Sequence, residues 1–459
     1  MSAPDDAKNK VPVLIVATLS SFLTPFMTSS VNIALPSIGH EFAMNAVQLG
    51  WVATSYILAA TIFLVPLGKL ADIFGRKRMF SYGILLFTAT SLLMALSGSM
   101  HMLIALRAVQ GVGGAMIFGT GVAMLISVFP LGERGKALGI NVAAVYLGLS
   151  VGPFLGGFLT QHFGWRSVFV AAVIPGVITA YYSIRKLKGE WAEARGEKFD
   201  LAGAIMYSIT LTAIVYGFSI LPLVAGGWLI LLGIGGCICF IAWESAVPYP
   251  VLNINLFRNN SVFAFSNLAA LINYSANFAV SFIMSLYLQY IKGLTPEGAG
   301  LILISQPIIQ ALFSPYAGRL SDIIEPRITT SIGMSLTVVG LVLLSFLDAH
   351  SSTMYIVVVL MLQGFAFALF SSPNTNAVMS SVEKKYLGVA SGTLGTMRLT
   401  GQMLGMGITM LVFALVIGRV QITPASYPFF LKSLKILFSI FAVFCFGGTF
   451  ASMARGKVR

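Results

Sequence analysis

The sequence predicts an all-α membrane protein of about fourteen transmembrane helices: two pseudo-symmetric six-helix bundles plus two inserted helices. Three observations predict it. Apolar runs of spanning length recur along the whole chain. Only 9% of the 459 residues are charged, against about 25% in a soluble domain. The motifs of the first half return, in order, in the second. So few charges cannot cover a water-facing surface, so the lipid bilayer is the expected partner of most of it.

Crossing the hydrocarbon core takes ~20 apolar residues in a helix. Runs of that kind lie at Val11–Leu35, Val47–Leu67, Met79–Leu96, Met102–Phe129, Lys136–Gln161 and Ser167–Ile184. Two more follow at Leu201–Leu221 and Trp228–Ala246. A second set lies at Ser261–Ile291, Gly298–Ala317, Thr329–Leu347, Met354–Ser380, Leu387–Ile417 and Leu434–Met453. This divides the chain into an N-terminal bundle (11–185), a link with two inserted spans (186–250) and a C-terminal bundle (251–455). The polar stretch Met1 to Lys10, and the length of the run after it, read as a retained first span instead of a cleaved signal.

Lys and Arg set the orientation. One side carries 21 of them and the other 5, namely Arg166, Lys292, Arg419, Lys432 and Lys435. The positive-inside rule then makes both termini cytoplasmic in a plasma (inner) membrane. The net charge of +13 follows from those links, and nucleic acid is not an expected partner. His40, His101, His162 and His350 fall in or beside the outer links and read as interfacial polar residues. Cys237, Cys239 and Cys445 all sit in apolar runs, which argues against a disulfide framework or a metal site. No cofactor is expected. HExxH and the P-loop pattern are absent from the sequence, so neither a metalloprotease nor an ATP-driven pump is indicated.

The repeat is explicit. Gly68-Lys-Leu-Ala-Asp72 returns as Gly318-Arg-Leu-Ser-Asp322, 250 residues on. Gln110-Gly111 returns as Gln363-Gly364, and Gly135, Gly139, Gly148 and Gly152 return as Gly388, Gly392, Gly401 and Gly405, all 253 residues on. Two bundles related by an axis along the membrane normal follow.

Gly68-Lys-Leu-Ala-Asp72-Ile-Phe-Gly75-Arg76-Lys77-Arg78 allows a tight glycine turn, with Asp72 placed for a helix N-terminus. In the fourth run Arg107 precedes Gln110 and Gly111. A charge in the hydrocarbon core costs ~3 kcal/mol or more and turns to a cavity or a partner. The cavity reading is favoured for Arg107, with bracing through carbonyls as the alternative; for Arg398, in the thirteenth run, the two stand level. Gly148, Gly152, Pro153, Gly156 and Gly157 combine close-packing glycines with a bend.

These segments resemble the major facilitator superfamily, and most closely its fourteen-span drug:proton antiporters. The loop at Gly68–Arg78 is similar to the latch between that superfamily's second and third spans, with Ile73 where a basic residue is common. Arg107-Ala-Val-Gln110-Gly111-Val-Gly113 is similar to its RxxQGxG motif, where the Arg is tied to proton transfer or substrate charge. Gly148 to Gly157 matches the gxxxGPxxGG motif of its antiporters. The resemblance implies the major facilitator fold and a monomer exporting a small amphipathic molecule by alternating access, coupled to protons.

One departure bears on chemistry. The family carries an Asp in the first span, within lDxTivNvALP. Here the segment is Phe26-Met27-Thr28-Ser29-Ser30-Val31-Asn32-Ile33-Ala34-Leu35-Pro36, with Met27 at the acidic position. No other Asp or Glu falls centrally in a span. Arg stays protonated and cannot act as a reversible proton carrier. Arg107 and Arg398 without a midplane acid suit an anionic or amphipathic substrate better than a dication. Candidate cavity residues beside them are Gln110, Thr28, Asn32, Tyr56, Tyr146, Asn273, Asn277, Gln306, Gln310 and Asn374, with interhelical hydrogen bonding as their other use.

Overall fold

The computed structural model describes residues 3–456 except 249, 253 and 384–386. Lys384, Lys385, Lys457 and Arg459 of the basic tally lie outside the described residues, as do the side chains of Lys8 and Asp322. Among the described residues fourteen helices are long and apolar enough to cross a membrane. They are α1 (Asn9–Glu41), α2 (Ala46–Phe74), α3 (Arg76–Ala95), α4 (Met100–Val128), α5 (Glu133–Phe163), α6 (Arg166–Lys186), α7 (Leu201–Ile220) and α8 (Val224–Ala246). There follow α9 (Ser261–Ile291), α10 (Pro296–Ser321), α11 (Pro326–Ser345), α12 (Thr353–Ser380), α13 (Gly388–Val416) and α14 (Pro424–Ala454). An even number of spans leaves both ends of the chain on one side, here called the terminal side.

Local chemistry explains the ends and bends. Asn45 and Gln48 form a reciprocal capping box at the start of α2, and Ser99, Asp200, Asn260 and Ser352 cap α4, α7, α9 and α12; each satisfies an orphan N–H. Gly75, at φ 125°, turns the chain from α2 into α3, a conformation open to glycine. α10 breaks between Leu303 and Ser305. Pro307 offers no N–H to Leu303, and its ring crowds that carbonyl. The largest boundary difference is in α14, which begins at Pro424, ten residues before the apolar run read from the sequence. Lys432 and Lys435 interrupt that run, yet both are exposed on the helix and so leave its buried face apolar. They are helix residues, not link residues.

Helix packing repeats between α1–α6 and α9–α14. In the first set α1 packs on α5, α2 and α3 on α4, and α3 on α6; in the second α9 packs on α13, α10 and α11 on α12, and α11 on α14. Glycine contacts repeat too. A methyl on Gly111 would fall 2.3 Å from the Tyr56 carbonyl oxygen, and one on Gly364 2.2 Å from that of Gln306. Gly148 and Gly401 press in the same way on the carbonyls of Phe22 and Leu271, at 2.4 and 2.2 Å. Only glycine permits such approach.

The sets meet along two seams, α2 against α13 and α5 against α10. α7 packs on α2 and α13, with the Tyr207 hydroxyl donating to the Thr61 carbonyl at 3.3 Å. Both seams are closed on the far side. Methyls on Gly50, Gly300 and Gly157 would lie 2.6 Å from Met410 Cγ, 2.2 Å from the Pro153 oxygen and 2.4 Å from the Pro296 oxygen. His162 on α5 stands 3.1 Å from Glu297 on α10. Ser285 and Gln289 donate to the Asn32 and Ile33 carbonyls across α1 and α9, at 2.7 and 3.0 Å.

Toward the terminal side the same faces carry glycines with open space before them, although Leu64 of α2 still packs with Leu399 of α13. Eighteen residues make five helical turns, so Gly139 shares a face with Gly157, Gly135 with Pro153, Gly388 with Met406, Gly392 with Met410 and Gly68 with Gly50. A methyl on Gly68, Gly135, Gly139, Gly388 or Gly392 would meet no atom within 4 Å. The sets are therefore in close contact on the far side and more loosely packed at these glycines on the terminal side.

Candidate functional site

Arg107 is sealed. It is 1% exposed. Its Nε donates to the Val52 carbonyl at 3.1 Å and its Nη1 to Gln110 Oε1 at 2.6 Å. Gln110 passes the chain on to Ser91 at 2.8 Å, and the guanidinium lies 4.6 Å over the Tyr56 ring. This is the bracing arrangement: α2, α3 and α4 are tied by one cation with no carboxylate partner among the described residues. Arg107, Gln110 and Tyr56 are all buried inside the first set. Leu360 takes the place of Arg107 in the second set, fully buried.

Arg398 is placed differently. It is half-buried on α13, 5.2 Å over the Tyr274 ring of α9. One Nη donates to Thr375 Oγ1 of α12 at 2.8 Å, while its buried Nε has no partner. Tyr274 is fixed from the other side by Ser371 at 3.1 Å and by the edge of Phe367 at 5.1 Å. Tyr146, near the middle of α5, is close enough to Tyr274 for the two to interact electrostatically, without a ring contact or hydrogen bond between them. A cation, a phenol ring and two hydroxyls thus converge within the second set. An orphaned buried N–H costs ~1–3 kcal/mol, and the Arg398 Nε carries that cost among the described residues.

The other candidates divide. Asn277 joins the neighbourhood of the seam, accepting from Gln306 of α10 at 2.7 Å. Gln310 is buried on α10. Asn273, on the same face of α9 in the sequence, turns away to Thr337 of α11 at 3.5 Å. Thr28 is half-buried and bonds back to the Thr24 carbonyl at 3.0 Å. Met27 is buried at 1% exposure. The Asn32 Oδ1 is buried without a partner.

Asn374 belongs elsewhere. It accepts from Arg455 Nη1 at 3.1 Å and donates to the Ser266 carbonyl at 3.1 Å. Arg455, counted as a link cation in the sequence, is fully buried and also binds Ser266, Thr330 and Ser452. It ties α9, α11, α12 and α14 at the terminal side. Its position just past an apolar run hid it, because a topogenic Arg looks the same.

The loop at Gly68–Arg78 is held by a segment the sequence showed only as charged. Arg76 donates to Asp72 at 2.7 Å and grips both oxygens of Glu193 at 2.6 and 3.0 Å. Glu190 accepts the Lys77 and Arg78 backbone N–H groups at 2.7 and 3.2 Å, Lys69 pairs with Glu197, and the Ala194 N–H donates to the Asp72 carbonyl at 2.9 Å. Arg76 holds the Glu193 carboxyl below the ordinary carboxylate range through these bonds. The glycine motif of α5 packs as its composition requires: Ser30 donates to the Gly152 carbonyl at 2.8 Å, and a methyl on Gly156 would fall 2.7 Å from Ser30 Cα. Gly148-Leu-Ser-Val-Gly152 also spells GxSxG, but it lies within a helix, without the strand-to-helix turn a nucleophile needs.

Comparison with known proteins gives a consistent picture. Residues 17–270 and 266–455 match the Major Facilitator Superfamily. The riboflavin transporter RibZ of Clostridioides difficile (strain 630) is 31% identical over 394 residues, spanning 85% of this chain and 85% of that protein. The multidrug resistance protein Stp of Mycobacterium tuberculosis (strain CDC 1551 / Oshkosh) is 30% identical, over 87% of this chain and 75% of its own length. The cephamycin export protein CmcT of Amycolatopsis lactamdurans is 31% identical, over 87% and 84%. Among solved structures, a bacterial homolog of the human lysosomal transporter Spinster, inward-facing and unoccupied, superposes with TM-score 0.71 at 16% identity, covering 99% of this chain and 98% of that one.

Proposed function

The chain belongs to the major facilitator superfamily and is a multi-pass secondary transporter; from that premise we propose that it exports a small amphipathic compound by alternating access, in the manner of the fourteen-span drug:proton antiporters. The reading extends to a monomer in the plasma membrane with cytoplasmic termini, in which the more loosely packed terminal side faces the cytoplasm. The bundles 11–185 and 251–455 rock about the midplane, and 186–250 rides with them.

One observation carries the substrate assignment: the half-buried guanidinium of Arg398 over Tyr274, with its Nε unpartnered and Tyr146 of the first set within electrostatic reach of Tyr274. A planar or apolar body would lie against the Tyr274 ring while an acceptor or anionic group pairs with the guanidinium. The relatives named for riboflavin, multidrug and cephamycin handling support a substrate of that size and mixed polarity. Asn277, Gln306, Gln310, Thr28 and Asn32 are assigned to the walls. Gly68, Asp72, Gly75 and Arg76, with Gly148 to Gly157, are assigned to the conformational change, and Arg107 to bracing the bundle that moves.

Proton coupling follows from the antiporter resemblance. A second reading, a facilitator or exporter of an anionic, lipid-like substrate without proton antiport, is favoured by Met27 at the acidic position. The test is flux in proteoliposomes under an imposed pH gradient. Uptake driven by the gradient supports antiport; uptake that follows the substrate gradient alone supports the second reading.

A further inference from the structure

Glu244 is the one carboxylate in the buried class among the described residues, at 2% exposure. It sits on the last turn of α8 and faces the first turn of α7. Its Oε2 accepts the Leu252 N–H at 2.8 Å. Its Oε1 is buried and meets no donor. What it meets is a second carboxylate. A methyl on Gly203 would fall 2.3 Å from Glu244 Oε1 and 2.4 Å from Asp200 Oδ2, so both oxygens crowd one small space that glycine leaves free.

Asp200 is held there. Its Oδ1 accepts the Gly203 N–H at 2.9 Å as the cap of α7, and its Oδ2 accepts the Trp243 Nε1–H at 2.9 Å. No cation answers the pair among the described residues. Lys198 and Arg258, on the segments flanking α7 and α8, are exposed, and Lys69 of α2 is taken by Glu197. Two ionised carboxylates offer each other lone pairs alone. Glu244 is buried and Asp200 half-buried, and like charges placed this close disfavour ionisation of both.

We propose that Asp200 and Glu244 form a proton-binding site, holding one proton between the two carboxyls at the root of the inserted helices α7 and α8. The site lies off the translocation path and does not depend on the role given to Arg398. Its proton seats α8 and the 251–252 link against α7, which lies along the α2–α13 seam. Losing it places a second negative charge in a buried space, and the contact opens.

The test is infrared titration of the full chain in lipid nanodiscs, following the C=O stretch of protonated carboxyls. Glu244→Gln mimics the protonated acid in shape, and Asp200→Asn keeps a good helix cap. The expected result is a protonated-carboxyl band at neutral pH that is missing from Glu244→Gln. In Asp200→Asn its midpoint falls by about one pH unit or more, since the like charge is gone. Thermal stability of the parent falls as pH rises through that midpoint, while that of Glu244→Gln does not. A neutral-pH spectrum that Glu244→Gln leaves unchanged, or a midpoint that Asp200→Asn leaves in place, overturns the assignment. Should Glu244→Gln fail to fold, the midpoint in Asp200→Asn decides.

Discussion

His162, at the end of α5, and Glu297, at the start of α10, stand 3.1 Å apart across the two sets of helices. The Glu297 N–H also donates to Gln161 at 3.3 Å. These contacts join the sets at the edge of a seam whose deeper layer is Gly157 and Gly300. Glu297→Gln should therefore loosen the far side without unfolding it. Spin labels at Phe163 and Lys292 should show a broader, longer distance distribution in Glu297→Gln than in the parent. An unchanged distribution would remove the pair from the closure.

The glycines with open space before them predict an opposite effect in the other half of the cycle. Gly139 and Gly392 have room for a side chain now and lie on faces that must approach to close the terminal side. Gly392→Leu should fold, gaining up to ~0.8 kcal/mol of helix propensity, and lose transport. Gly300→Leu, whose side chain would strike the Pro153 carbonyl, should melt lower. Full transport by Gly392→Leu would mean that those faces never meet.

Arg107→Leu tests the bracing role. It removes the donors to the Val52 carbonyl and Gln110, leaving buried acceptors open at ~1–3 kcal/mol, so the melting temperature should fall. The half-saturating substrate concentration of the folded fraction should stay as in the parent. A changed substrate preference with unchanged melting would make Arg107 a substrate contact.

The acidic link yields a pH prediction. Because Arg76 holds Glu193 below the ordinary carboxylate range, its contribution to docking is complete above that range and is lost as pH falls through the lowered native value. Trp191, buried at 7% exposure within the link between Glu190 and Glu193, reports this. Its emission, taken as the difference from Trp191→Phe, should shift red only in acid for the parent, and already at neutral pH for Glu193→Gln. Identical spectra at neutral pH would contradict the clamp.

Much of the fold was legible in the sequence because lipid imposes long apolar runs and the repeat leaves glycines at fixed offsets. All fourteen runs lie on helices, and Gly111 and Gly364 make matching contacts. The site was legible only in part. Arg107 and Arg398 read alike, since each is a cation in an apolar run; whether Val52 offers a carbonyl, or Tyr274 a ring, depends on helices far away in the chain. Asn273 and Asn277 share a face yet diverge to α11 and α10, because a helix face spans more than one neighbour. Glu190, Glu193 and Glu197 sit in a link with no motif around them, and Arg455 reads like a topogenic residue. Both owe their roles to partners that the order of residues does not reveal.

The measurement closest to the central claim is transport by Arg398→Ala in proteoliposomes, with carboxyfluorescein as an anionic probe and propidium as a dicationic one. Losing a charge-assisted hydrogen bond of ~1.5 kcal/mol should raise the half-saturating concentration of carboxyfluorescein about tenfold or more, with propidium transport no better than background in the parent. Parent-like handling of carboxyfluorescein by Arg398→Ala, or strong transport of propidium by the parent, would contradict the account.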